Sequence, residues 1–466
     1  MSIPLTRPQH ALALLALGLP LIGSHVAQML LHVTDTILLG WYGVTELAAV
    51  VVAGSAFFVV FILGSGFAQA IMPMVAQALG RGDETQVRRD TRMGLWLSIL
   101  FGLCTYPVFW TSGSWLLALG QKPEIAQLGQ DFLRIAGFGM VPALLIMALK
   151  SYLAALGRTQ VVLWTTLFAV VVNVAIAYPL IFGAWGLPEM GVRGAAVASV
   201  TVQAVNALVL ALYAALLRDL RHYRLFQRFW RPDWPAFVQV FRLGWPIGIT
   251  GLAEAGLFQA ATLMMGWIGT VQLAAHGIAM QAASLTFMVH LGIASATTVR
   301  TGRFAGTGDA QAMREGAVVA IAMSFAFGLA MVVLFLAFPR PILALFTDTT
   351  KPEAAAILDF GTHLLAMAAL FQLADAMQAM ALGLLRGIKD TRVPMWAAGI
   401  SYWLIGIPTS YVLAFPLGLG GIGLWTGLVI GLLAAALSMM ARFWMRAPKP
   451  GLPGAIPQAR PQASGA

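Results

Sequence analysis

The stretch LGWPIGITGLAEAGLFQAATLMM, residues 243–265, is an unbroken apolar run with one acidic side chain, Glu254, at its middle. Roughly 20 such residues cross the hydrocarbon core of a bilayer, so the run reads as a membrane span. Arg242 marks its polar edge, and Glu254 lies twelve residues further on. At about 1.5 Å per residue that is roughly 18 Å, near the middle of a core about 30 Å thick. An ionised carboxylate there costs about 2.5 to 3.5 kcal/mol on insertion scales, so it faces a watery or protein-lined interior and marks function by default.

The rest of the chain has the same character. Of its 466 residues 59% are hydrophobic and 10% charged, against about 25% charged in a soluble domain. Apolar windows separated by polar, glycine and proline breaks predict about twelve membrane helices, near 11–39, 47–77, 93–112, 131–150, 161–183, 191–217, 239–266, 273–300, 316–338, 355–383, 394–416 and 419–443. The first is far longer than a cleavable signal's apolar region and is expected to stay. Assigning loops alternately to the two sides puts 23 of the 28 Lys and Arg on one side, the pattern of cytoplasmic loops. Both termini are therefore expected in the cytoplasm, in a bacterial-type inner membrane. The net charge of +10 follows from these loops and does not call for nucleic acid. The sole cysteine, Cys104, falls in a span and excludes an intrachain disulfide framework.

Two halves repeat. A shift of 226 residues carries LGLP (17–20) onto LGWP (243–246), Gly40-Trp41 onto Gly266-Trp267, and GRGD (80–83) onto GTGD (306–309). Each GxGD ends a span on the arginine-rich side and reads as a glycine turn. The expected fold is an all-α polytopic membrane protein, with about twelve transmembrane helices forming two pseudo-symmetric six-helix lobes around a central cleft. Residues 1–217 form the first lobe and 243–446 the second. Residues 218–242 are a cytoplasmic linker, whose arginines interleaved with Leu220, Tyr223, Phe226, Phe229 and Trp230 suit either an amphipathic helix on the lipid surface or a plain connection. Residues 447–466 read as a disordered proline-rich tail.

Of the 18 acids only Asp35, Glu254 and Asp375 fall well inside spans. Asp35 closes a stripe with His25, Gln28 and His32 that occupies roughly 60° of one helix face. Gln372 and Gln378 flank Asp375 at helical spacing. Asn173, Gln281 and His290 are further polar candidates, each able instead simply to bond a neighbouring helix. The repeat sets Gln28 opposite Glu254 and Ala261 opposite Asp35, so the lobes differ in task. Pro20 and Pro246 occupy equivalent positions and are candidate bending points, as is Pro408. Methionines such as Met264, Met265, Met280 and Met377 fit a yielding wall or ordinary packing.

The segments LAAHGIAMQAASLTFMVHLGIASATTVRTGRFAGTGD (273–309) and PLIGSHVAQMLLHVTDTILLGWYGVTELAA (20–49) closely resemble the multidrug and toxic compound extrusion family, in its NorM-like branch. The resemblance runs to about residue 444. It implies a cation-driven antiporter that expels small lipophilic organic cations by alternating access, with Asp35, Glu254 and Asp375 as the cation-coupling and substrate acids and Asn173 at a first-lobe proton site. Two departures stand out. No acid follows the fourth span, which reads KSYLAALGRTQ, and Phe371 stands one turn before Asp375 where sodium-using relatives often carry tyrosine. A sodium ion at Glu254 and Asp375 is weakened by that change but still expected as an alternative to a proton.

Desolvation raises carboxylate pKa values by up to about 3 to 5 units, enough for such groups to change charge near neutrality. Ionised, the three acids attract a cation; protonated or ion-bound, they release it. A membrane potential adds about 2.3 kcal/mol per charge per 100 mV. The expected coupling ion is H⁺ or Na⁺, with no cofactor and no obligatory protein partner; membrane lipids are the surroundings. A lipid-linked sugar flippase would need arginines at mid-depth, and none is evident. A membrane enzyme acting on pyrophosphates would need paired aspartates, also absent from the spans. A channel would need no coupling.

Overall fold

The computed structural model describes residues 5–346 and 354–448. The proline-rich tail beyond 448 and Lys351 lie outside the described residues. Among the described residues twelve helices are long and apolar enough to cross a membrane: α1 Arg7–Tyr42, α2 Val44–Gly80, α3 Glu84–Trp110, α4 Pro123–Ala155, α5 Thr159–Phe182, α6 Gly191–Leu216, α7 Trp234–Ile268, α8 Thr270–Thr307, α9 Ala310–Ala337, α10 Ala354–Gly387, α11 Arg392–Ala414 and α12 Gly420–Arg446. Every expected span is present, most with helix added at one or both ends. Apolar windows register only the part that sits in hydrocarbon, whereas the backbone keeps its hydrogen bonds through polar turns beyond it. α1–α6 form one lobe and α7–α12 the other, each around its own buried core. Leu38, Phe109, Leu133 and Ala196 are at the centre of the first, and Leu257, Phe371, Trp425 and Leu428 at the centre of the second.

The repeated GxGD sequences act identically. Gly82 and Gly308 take φ of 70° and 75°, the left-handed region open to glycine. Asp83 and Asp309 then cap α3 and α9, each accepting at 2.9 Å from the backbone N–H three residues on.

The lobes meet through α1, α2, α7 and α8, and the close approaches lie on the halves nearest the arginine-rich loops. A side chain on Gly66 (α2) would strike the Gly244 carbonyl of α7, and one on Gly306 (α8) would strike the Gln77 carbonyl of α2. Hydrogen bonds reinforce this end: Arg303 donates to the Ala155 carbonyl at 2.7 Å, Gln77 to the Gly387 carbonyl at 3.1 Å, and Arg300 meets His10 at 2.8 Å. Away from it, residues 251–260 of α7 are only half-buried or exposed apart from Leu257. The lobes are thus sealed at one end and diverge at the other around the expected cleft. Gly66→Val should keep both lobes folded while prising this seal apart. Overpacking costs about 1 to 3 kcal/mol, so the balance between sealed and open ends should move by at least about fivefold. Thiol labelling of a cysteine placed at Gln77 in a Cys104→Ser background reads the change as faster modification.

The linker differs from a continuous amphipathic helix. One helical turn, Arg218–Arg221, is followed by turns in which Arg224 and Arg228 take φ of 47° and 53°. The apolar residues explain this. Leu220 and Leu225 are buried, and Trp96 of α3 donates to the Phe229 carbonyl at 2.8 Å. The segment packs part of its apolar face on the protein, while Phe226 and Trp230 remain exposed. Asp233 ends it by capping α7 at Ala236 while accepting from Arg89 at 3.0 Å. The Arg89 guanidinium holds the Asp233 carboxyl below the usual carboxylate range. Its contribution is therefore complete above the unfolded-state value and disappears as pH falls through the lowered folded-state value. Asp233→Ala should lose about 1 kcal/mol of capping at pH 7, and the difference in thermal midpoint from the parent should shrink in strong acid.

Candidate functional site

Glu254 and Asp375 come together in the second lobe, one from α7 and the other from α10. Glu254 is half-buried and lines a cavity of about 80 Å³ bounded also by Gln69 of α2, Thr298 of α8, and Gln378 and Arg386 of α10. Asp375 is 5% exposed, and its Oδ1 has no hydrogen-bond partner. The Arg386 guanidinium acts electrostatically on Glu254, and Glu254 on Asp375. Arg386 also donates to Gln69 Oε1 at 3.1 Å, across the boundary between the lobes. With every group ionised the three charges sum to −1, so a single bound cation neutralises the cluster.

Gln378, fully buried, donates to the Tyr402 hydroxyl at 2.6 Å and leaves its own Oε1 unpaired. Tyr402 lies in a π-helical turn, Ile400–Gly406, just before Pro408. Proline has no N–H to return to the carbonyl four residues back and its ring crowds that carbonyl, so a widened turn accommodates it. α11 thus brings one hydroxyl, that of Tyr402, to Gln378. Asp375 Oδ1 and Gln378 Oε1 are buried oxygens without donors, the kind of atom a hard cation or a proton binds. Among the described residues no group of three or more His, Cys, Asp and Glu side chains gathers as a metal site, so a cation here would rest on two carboxylates, amide oxygens and a hydroxyl.

Phe371 does not face the cavity. It packs edge-on against Trp425, ring centroids 5.3 Å apart, and against Phe258 at 5.9 Å. Trp425 donates to His276 Nδ1 at 3.1 Å, so the other ring nitrogen carries the hydrogen and faces the Thr262 hydroxyl at 3.2 Å. This satisfied network is a rigid backing for α10. Gln372 donates to the Gly328 carbonyl at 3.3 Å, and His290 pairs with the Ser324 hydroxyl at 2.8 Å. Both are buried structural bridges from α10 and α8 to α9, with an unpaired atom left on each: Gln372 Oε1 and His290 Nε2. Gln281 is half-buried. Met264, Met265 and Met380 are core, whereas Met280, Met288, Met367 and Met377 are half-buried.

In the first lobe Asp35 of α1 faces Asn173 of α5, and His25 faces Lys150 of α4. Asn173 is fully buried, yet neither its amide oxygen nor its nitrogen closes a hydrogen bond. Gln28 and His32 lie between His25 and Asp35 on the same face and are exposed. The ends of this face thus meet neighbouring helices while its middle, Gln28 and His32, stays open. The acid absent after the fourth span is thus matched by a lysine, Lys150, near the stripe.

Arg386, Gln69, Tyr402 and His276 were not legible as site residues. Arg386 read as a loop-edge charge, and the expectation of no arginine at depth is overturned, because its side chain reaches the Glu254 cavity. Gln69 belongs to the other lobe, which no local pattern connects to Glu254. The closeness of Pro408 to Tyr402 was the one available signal for the π turn.

Comparison with known proteins bears on the fold and the family. The MatE family model matches residues 20–179 and 246–412, starting points separated by the same 226-residue shift as the repeat. The chain is 47% identical to a probable multidrug resistance protein NorM of Rhizobium meliloti, covering 94% of each chain. It is also 47% identical to one of Agrobacterium fabrum, covering 93% of each. Among solved structures it superposes on the eukaryotic MATE transporter AtDTX14 with a TM-score of 0.84 at 20% identity. An outward-facing multidrug resistance MATE transporter of the MOP superfamily gives 0.85 at 21%. Both alignments cover 94% of this chain and 96% of the other. With twelve spans in two repeated lobes and the family model matched once in each, the chain belongs to the MatE family of membrane transporters.

Proposed function

We propose that this transporter is a multidrug efflux antiporter of the bacterial inner membrane, exporting lipophilic organic cations in exchange for H⁺ or Na⁺ by alternating access. The observation that carries the reading is the Glu254–Asp375–Arg386 cluster, one positive charge short of neutrality and enclosed partly by the opposite lobe. Drug-sized ligands occupy pockets of about 300 to 1,000 Å³. The cavity of about 80 Å³ admits an ion or a few waters and excludes such a molecule. In the sealed conformation the coupling cation has these carboxylates to itself.

Excess arginine and lysine mark the sealed end as cytoplasmic, with both termini there, so the lobes diverge toward the outside. Parting the lobes at the cytoplasmic end withdraws Gln69 and Met72 from the cavity and enlarges the space before Glu254. An organic cation then meets the ionised cluster. Resealing shrinks the site to the size of an ion and displaces the organic cation toward the cleft, where H⁺ or Na⁺ from outside takes its place. Gln69–Arg386 links occupancy to the lobe contact, because Arg386 donates to the other lobe while its charge acts on Glu254. Asp35 with Asn173 gives the first lobe its own acidic position, open to the same exchange through the space beside Gln28 and His32.

Arg386 is the feature a lipid-linked sugar flippase would use, but two carboxylates share its site and oppose phosphate. Proteoliposomes loaded with a cationic dye and given proton or sodium gradients separately test the proposal. Dye movement driven by at least one gradient is expected. Movement indifferent to both would favour a channel.

A further inference from the structure

A second, larger cavity lies at the arginine-rich end, away from the carboxylate cluster. It encloses about 420 Å³ between Met74 of α2, Gln239 and Arg242 of α7, and the segment Lys389–Arg392 that joins α10 to α11. Three cations line it: Arg242, Lys389 and Arg392. Among the described residues none of the three has a carboxylate within 4 Å. The one acid on the wall, Asp390, is already engaged by Arg442 at 2.9 Å and Arg446 at 4.0 Å from α12. The lining therefore carries a formal excess of positive charge, three cations against the one acid on the wall. Thr391 is tied to the Leu243 carbonyl at 3.2 Å, which fixes the segment against α7, and α11 begins at Arg392. Lys389 takes φ of 61°, a left-handed backbone uncommon for lysine. Burial brings its ammonium down to about 8, with Asp90 opposing and Arg81 adding to the effect.

The neighbours of the lining residues are apolar and outward-facing. Val238 and Phe241 beside Gln239 and Arg242 are 40% and 45% exposed, Val393 beside Arg392 is 42%, and Trp396 one turn further is 67%. In a chain that spans a membrane such residues meet lipid, with tryptophan favoured at the headgroup level. A basic pocket whose rim is apolar suits a ligand with a phosphate at one end and acyl chains at the other.

We propose that Arg242, Lys389 and Arg392 form a binding site for the phosphate of an anionic phospholipid headgroup in the leaflet at the arginine-rich end. Because Met74 of the first lobe closes the pocket over second-lobe residues, a bound headgroup favours the sealed conformation.

Native mass spectrometry of the full chain, released from nanodiscs of phosphatidylcholine with or without phosphatidylglycerol, tests the site. Each basic side chain near a surface adds about 1 kcal/mol toward anionic lipid, or about fivefold. Retention of phosphatidylglycerol should weaken about fivefold in Arg392→Gln and about a hundredfold in the variant Arg242→Gln, Lys389→Gln, Arg392→Gln. A parallel arm adds orthophosphate to phosphatidylcholine discs. Phosphatidylglycerol held by the parent and lost in the variants, without orthophosphate retention, supports the lipid as the source. Orthophosphate retained by the parent and lost in the variants supports the same phosphate site with a soluble source. Retention of neither by the parent, or retention unchanged in the variants, overturns the proposal. Thermal melting of each variant checks folding, and Arg392→Gln, at an exposed position, carries the test should the triple variant fail to fold.

Discussion

Glu254→Gln reduces ion-driven export of an organic cation to background, and Asp375→Asn does the same, with both proteins inserted and folded. Each amide keeps the shape of the side chain and removes its charge. Two unit charges about 4 Å apart at an effective dielectric of about 20 interact by about 4 kcal/mol. Losing even two thirds of that weakens cation binding by about a hundredfold. Either variant also leaves the cluster formally neutral against Arg386, so no cation is needed to balance it. Membrane content and thermal midpoint should match or exceed the parent, because a neutral amide is cheaper to hold in a buried site than an unpaired carboxylate. Full transport in both variants would remove the proposed role of the acids.

Arg386→Gln acts oppositely on stability. It leaves Glu254 and Asp375 facing each other without the guanidinium that opposes their charge, and it removes the donor to Gln69. Breaking a fully buried pair costs about 3 to 5 kcal/mol; Glu254 and Arg386 are half-buried, so the loss is smaller than that and shows as a fall in thermal midpoint and in membrane content. Adding Glu254→Gln to Arg386→Gln should restore most of the stability and none of the transport, since it removes the surplus charge together with the coupling acid. Thermal melting of the parent, both single variants and the double variant forms the cycle that separates these terms. Additive effects on stability would mean that Arg386 and Glu254 do not interact.

The fold was legible because its information is local and periodic. Apolar windows, loop arginines and a constant 226-residue shift between GRGD and GTGD need no tertiary knowledge, and the bilayer leaves helices as the only way to satisfy the backbone in such windows. The acids were legible too, since Asp35, Glu254 and Asp375 stand out against hydrocarbon wherever the helices go. What pairs with them depends on packing. Asn173 opposite Asp35 entered through the family resemblance. Tyr402 depended on a π turn, and Gln69 on a contact between lobes that share no local signal. Arg386 was misjudged because its Cα lies near a loop while its long side chain reaches back toward the carboxylates. Phe371 and His290, polar-site candidates by position, are held by aromatic packing and by Ser324. In the linker the alternation of arginine and aromatic residues left two readings open, a lipid-surface helix and a plain connection; the structure shows one helical turn followed by turns, with Leu220 and Leu225 buried.

The most direct test is the affinity of the purified parent, in phosphatidylcholine nanodiscs, for a fluorescent organic cation measured while proton and sodium concentrations are varied one at a time. If the two cations use the same carboxylates in turn, affinity for the dye falls as one of these ions rises, with a logarithmic slope of about one set by reciprocal linkage. The slope vanishes in the variant that combines Glu254→Gln and Asp375→Asn. Dye affinity in the parent that is indifferent to both ions, or a slope that survives in the double variant, would contradict the account.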